Sequence, residues 1–195
     1  VPLQIEKVFN GKKYPLYSKD WHNLLVFGDN LQILKTFNEN KDPLIKNKVK
    51  GRVKLIYIDP PFGTGDEYDG NKGQSAYSAK KKGADFVEFL RRRLILLHEV
   101  LSDDGIIFVK IDYHFGHYIK IILDEVFGKN NFRNEITVNR IKKNVTQQGR
   151  QSIPTATDSI FLYFKSEHSN LVNVFKRLTE EKAGYWHAMD SAGIR

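Results

Sequence analysis

A chain of 195 residues with 41% hydrophobic content can bury the core of one domain and the beginning of a second. It has no cysteine, which excludes a disulfide framework and any thiolate zinc site, and no apolar run reaches the roughly 18 residues of a membrane span. With no signal-peptide pattern either, a soluble cytoplasmic protein is expected, and a formal net charge of +8 points to a polyanionic partner.

Val1 stands where an initiator methionine would, so the chain reads as processed or partial. The first ordered signal is "NLLVFGDNLQILKTF". Residues 24–27 read as a short buried strand, Gly28 as a turn, and Asp29 or Asn30 as the cap of a helix carrying Leu31, Leu34 and Phe37 at helical spacing. Residues 53–58 are a second apolar, β-branched run, ending at the quartet Asp59, Pro60, Pro61, Phe62. Residues 63–83 are polar and glycine-rich without periodicity, the mark of a functional or mobile loop. The glycines of "GTGDEYDG" lack the lysine and hydroxyl ending of a phosphate-binding P-loop.

Residues 84–101 make the clearest helix, with Phe86, Leu90, Leu94, Leu97 and Leu101 on one face, Asp85 and Glu88 as a capping box, and Gly105 behind its end. Arg91, Arg92 and Arg93 read as a charge run on its outer part, a solvated face or a phosphate contact. A third strand at 106–111 leads to a helix marked by Phe115, Tyr118, Ile119, Ile122 and Val126, which stops near Gly128. His114 and His117 have a metal-like spacing there but no third ligand, so no metal is expected. Strands at 134–141 and 159–165 follow, separated by "NRIKKNVTQQGR", whose Arg140, Lys142, Lys143 and Arg150 either track a phosphate backbone or form a solvated loop. The alternation predicts a Rossmann-like, doubly wound α/β fold with a mainly parallel sheet. Residues 167–195 fit this rhythm poorly and read as the start of a second domain after 1–166.

In such sheets ligands bind outside the carboxyl ends of the strands, where Asp59 is expected. Pro60 and Pro61 fix φ and each removes a backbone donor, so the carbonyls around them can point outward, and Phe62 adds an aromatic face. Acceptors beside a flat platform suit a planar group with an exocyclic amine, such as adenine or cytosine. With Asp59 and the Pro60 carbonyl both accepting from that amine, its nitrogen gains a localised lone pair and becomes a nucleophile. A base within a duplex must first be flipped out, at a cost of roughly a few kcal/mol. The alternative reading of the quartet is a rigid turn and nothing more.

On these residues the chain resembles the beta class of DNA amino-methyltransferases, whose catalytic motif lies near the N-terminus, and above all the modification (Mod) subunits of type III restriction systems. "YIDPPFGTG" is similar to their catalytic tetrapeptide and turn, and "FLRRRLILLHEVLSDDGIIFVKID", "LDEVFGKNNFRNEI" and "DSIFLYFKS" follow in the family's order, so the likeness spans residues 24–166. The resemblance implies methyl transfer from S-adenosylmethionine to adenine N6, with Asp59, Pro60, Pro61 and Phe62 catalytic. It places Asp29, Asn30, Asp59 and Pro60 against the cofactor; for Asp29 the other reading is a helix cap alone. Asp112, ending "VKID", would face the active-site crevice or cap the second helix.

The implied partners are double-stranded DNA and, by analogy, a second copy of the chain and a helicase-nuclease restriction subunit. Lys80, Lys81 and Lys82 join the basic segment as candidate DNA contacts. Residues 1–166 become the catalytic region and 167–195 the opening of a target-recognition region. The lack of cysteine agrees with direct attack by an amine, since methylation at cytosine C5 needs a cysteine nucleophile. Cytosine N4 as target, and an inactive DNA-binding module of the same fold, are the alternatives.

The sequence departs from the family at three points. Phe62 stands for the commoner Tyr, Gly63 for a frequent Asn, and no Phe-x-Gly-x-Gly cofactor loop occurs in its usual context. In this permuted class that loop is expected beyond Arg195, which makes the fold as given incomplete.

Overall fold

The computed structural model describes residues 2–5, 23–60, 67–69, 75–78, 83–139 and 157–172. In chain order these form α1 (Asn30–Glu39), β1 (Val53–Ile58), β2 (Glu67–Asp69), β3 (Ser75–Ser78), α2 (Ala84–Val100), β4 (Leu101–Asp112), α3 (Gly116–Phe127), β5 (Phe132–Asn139) and β6 (Thr157–Phe164). The main sheet has the order β1-β4-β6-β5, and β2 pairs with β3 in a separate antiparallel ribbon inside the stretch expected to be loop.

The α/β expectation is met. β1 and β4 are the parallel pair, and β6 runs antiparallel to both β4 and β5. A parallel pair needs a crossover, and α2 supplies it between β1 and β4. The apolar face of α2 (Phe86, Leu90, Leu94) and that of α3 (Ile119, Ile122, Leu123, Phe127) meet Ile56, Ile107, Val109, Ile111, Phe161 and Tyr163 of the sheet in one buried cluster. Burying each such side chain contributes roughly 1.5–3 kcal/mol, so this layer holds the carboxyl ends of β1 and β4 in place.

Three local expectations change. Residues 23–27 form neither strand nor helix and have no sheet partner among the described residues, with Leu25 95% and Phe27 99% exposed. An apolar run of strand composition becomes a buried strand only where an edge accepts it, and here none of the described edges does. Gly28 does make the turn, at φ +146°, a conformation that favours glycine.

The capping box at α2 does not form. Gly83 is the N-cap, so Asp85 lies within the first turn and Glu88 pairs instead with Arg92 at 2.8 Å. Gly105 is not a helix terminator, because β4 begins at Leu101 directly after α2. It lies where the β1–β4 register shifts: Val53 pairs with Leu101, but Leu55 pairs with Ile106. A Cβ there would sit 2.9 Å from the carbonyl oxygens of both Ser102 and Val53, so only glycine fits. The proposed division at residue 166 falls near the end of the described chain, and residues 173–195 are outside it.

Candidate active site

The register of the parallel pair sets the site. Ile58 lies beside Val109, so the next residues along, Asp59 and Lys110, come side by side where β1 ends. Lys110 Nζ donates to Asp59 Oδ2 at 2.9 Å and lies 3.7 Å from Asp158 Oδ2 on the neighbouring β6. The hydrogen bond to Asp59 is the main cause holding the Lys110 ammonium above its ordinary value, with burial opposing and the charge of Asp158 adding to it. Lys110 therefore stays charged through the neutral range.

Asp59 and Pro60 lie at the mouth of a cavity of about 660 Å³, bounded by Asn30, Ile33 and Leu34 of α1 and by Phe89, Arg93 and Leu97 of α2. That volume is typical of a cofactor-sized site, and the lining is apolar with a few polar groups, the usual composition of one. Asp29 caps α1, its Oδ1 accepting from the Gln32 amide at 3.1 Å. Asn30, the first helical residue, presents its side chain to the cavity. Of the four expected cofactor residues, three line one cavity, while Asp29 stands just outside it as the cap.

The arginine run resolves into three different roles. Arg91 pairs with Glu125 of α3, Arg92 with Glu88, and Arg93 is only 7% exposed. Arg93 donates to Asn30 Oδ1 at 2.7 Å and to the Phe89 carbonyl at 2.8 Å, and it stacks 3.4 Å from the Phe89 ring centroid. Its terminal nitrogen lies 3.7 Å from Asp29 Oδ2. The outer-face reading is thus corrected for Arg93, and the signal was its spacing, since it falls on the same face as Phe86, Leu90 and Leu97.

Asp112 is buried at the end of β4, is not among the residues lining this cavity, and does not cap α3, whose N-cap is Phe115. Its Oδ2 is 2.7 Å from His114 Nδ1, and its Oδ1 has no hydrogen-bond partner among the described residues. Lys110 was not singled out from the sequence; its alternation with Val109 and Ile111 along β4, beside the exit of β1, was the available signal. Pro61, Phe62, Lys80, Lys81, Lys82, Arg140, Lys142, Lys143 and Arg150 all lie outside the described residues.

An exposed carboxylate with one oxygen held by a lysine, next to a rigid proline and a cavity with an aromatic wall, can accept hydrogen bonds from an amine on a flat ring. The type II methyltransferase M.EcaI of Enterobacter cloacae is 36% identical over 132 residues, 67% of this chain and 29% of that protein. The probable type III restriction-modification enzyme HindVI Mod subunit of Haemophilus influenzae is 33% identical over 159 residues, covering 81% of this chain and 19% of that one. The chain thus spans less than a third of either relative. Among solved structures, the M1.HpyAVI–SAM complex shares 17% identity at a TM-score of 0.49, over 79% of this chain and 60% of that one. The PvuII DNA methyltransferase (cytosine-N4-specific) shares 13% at 0.48, over 86% and 62%. Residues 53–188, from the start of β1 through the Asp59 corner and beyond β6, match the family described as DNA methylase, and the chain belongs to that family.

Proposed function

We propose that the chain carries the catalytic region of a site-specific DNA methyltransferase, which transfers a methyl group to adenine N6 of a flipped-out base within a restriction-modification system. The observation that carries this reading is the meeting of Asp59 and Pro60 with Asn30 around one cavity beside the end of β1. Asp59 accepts a hydrogen bond from the target amine and the Pro60 carbonyl accepts a second, which localises the nitrogen lone pair toward the reacting methyl. Phe62 is the platform for the base in this scheme.

The cavity fits S-adenosylmethionine in size and chemistry. Its apolar walls at Ile33, Leu34 and Phe89 suit a flat ring, and Asn30 and Asp59 offer polar contacts to an amine-bearing, positively charged molecule. Bound there, the cofactor supplies the methyl group. The chain's own residues orient the amine and exclude water from it. Double-stranded DNA is the proposed substrate, with Lys80, Lys81, Lys82, Arg140, Lys142, Lys143 and Arg150 contacting its phosphates. The relatives named as Mod subunits support a restriction subunit as a further partner of the whole protein, and its helicase-nuclease character and a second copy of the chain are proposed from the family resemblance alone.

The test is the nucleoside content of DNA from a methylation-free host expressing the complete gene. N6-methyladenine is the expected product. N4-methylcytosine would retain the amine chemistry and replace the base, whereas neither product, with soluble protein present, would overturn the reading in favour of a binding module.

A further inference from the structure

We propose that Lys110 is a positioning residue for methyl transfer, gripping one oxygen of Asp59 so that the other is turned to the target amine, and that Asp158 is the buried post to which Lys110 is tied. The proposal rests on the reading of Asp59 as the amine's acceptor. It begins with backbone register. The parallel β1–β4 pairing places Asp59 next to Lys110, and the antiparallel β4–β6 pairing sets Lys110 opposite Ile160 and Asp112 opposite Asp158. Asp158 is therefore diagonal to Lys110, and one cation stands between two carboxylates drawn from two strands.

The two carboxylates are not equivalent. The Asp158 side chain is 1% exposed and that of Asp59 is 44% exposed. The buried partner is fixed by its surroundings, while the open one is free to receive a ligand on its remaining lone pairs. A lone aspartate at a strand exit rotates about χ1 and χ2, and each rotation misplaces its acceptor atoms. Anchoring Oδ2 at 2.9 Å removes most of that freedom before substrate arrives.

As the N–CH3 bond forms and the S–CH3 bond breaks, the positive charge passes from sulfur to nitrogen, and the extra proton then leaves to water. Asp59, anchored through one oxygen by Lys110, acts as hydrogen-bond acceptor and electrostatic partner through the attack. The groups that act on Lys110 include Asp59 and Tyr57 at the end of β1 and Asp158 of β6.

The experiment uses the full-length protein with Lys110→Met, Lys110→Arg, Asp59→Ala, and the double variant Lys110→Met with Asp158→Asn, which leaves no stranded buried charge if the single change fails to fold. Single-turnover and steady-state rates of methyl transfer to duplex DNA are measured, together with DNA-induced fluorescence of 2-aminopurine at the target base. For Lys110→Met, or the double variant, kcat is expected to fall by about 10²-fold, the scale of a mispositioned catalytic group. KM for DNA and the base-flipping signal should stay near the parent values. Lys110→Arg should restore much of the rate. A parent-like kcat in a folded variant lacking Lys110, while Asp59→Ala is inactive, would overturn the role of Lys110 and leave the Asp59 reading standing. Full activity in Asp59→Ala would overturn both.

Discussion

Arg93 holds α1 against α2 with a guanidinium whose donors point in three directions, to Asn30, to the Phe89 carbonyl and toward Asp29. Removing it takes away the link to Asn30 and the stacking on Phe89, while the Phe89 carbonyl keeps its backbone bond within α2. Arg93→Met is expected to cost about 1–2 kcal/mol in urea denaturation and to weaken cofactor binding. Arg93→Lys should not recover either loss, because a single ammonium cannot reproduce the planar fork. In the sequence this residue is one of three consecutive arginines, and composition cannot separate them. Only the helical phase does, by placing 93 among the core positions. His98 shows a different coupling at the residue scale. Burial and then the nearby Lys165 hold its imidazole below the ordinary value, and Lys165 Nζ lies 2.9 Å from Nδ1, with Glu99 at 3.4 Å opposing. A histidine whose folded value is depressed stabilises fully above its unfolded value of about 6.5 and loses that contribution as pH falls below it. Melting temperature should therefore drop between pH 7 and 5, and the drop should be shallower in His98→Gln.

β4 is the element on which the site depends. It pairs with β1 on one edge and β6 on the other, and its alternate residues Ile107, Val109 and Ile111 are buried against α2 and α3. The strand starts directly after α2 and corrects its register with β1 at Gly105, so the glycine sets how far Lys110 stands from Asp59. Gly105→Ala would force a Cβ to within 2.9 Å of two carbonyl oxygens. A destabilisation of roughly 1–3 kcal/mol is expected in denaturant titration, with a fall in transfer rate beyond what the lost stability explains. From the sequence, Gly105 looked like a helix C-cap because glycine shortly after an apolar helix usually is one. The register shift depends on a partner strand some fifty residues earlier, which no local pattern reveals. Periodicity did make α1, α2, α3 and the strands legible, because each buries a single face. It misplaced 24–27, whose composition suits a strand but whose burial depends on a neighbour that the described sheet does not offer.

At the scale of the whole molecule, α1, β1 and α2 converge on one cavity, and the exit of β1 brings Asp59 and Pro60 to its mouth. The sequence made this corner readable because its chemistry is local: an acid and two prolines follow one another at a strand end. The supporting residues were not readable, because Arg93 meets Asn30, and Lys110 meets Asp59 and Asp158, only through packing and register between segments far apart in the chain. Asp29 and Asn30 were found as a pair, and folding divides them into a cap and a cavity residue. The central claim is that the Asp59 carboxylate is the acceptor that makes an amine reactive, and the most direct test is single-turnover methyl transfer by the full-length Asp59→Ala protein, with DNA and cofactor binding measured beside it. The expected result is a rate lowered by about 10³-fold with binding and fold retained, the scale of losing a preorganised acceptor at the reacting atom. A variant that binds both partners and transfers methyl at the parent rate would contradict the claim.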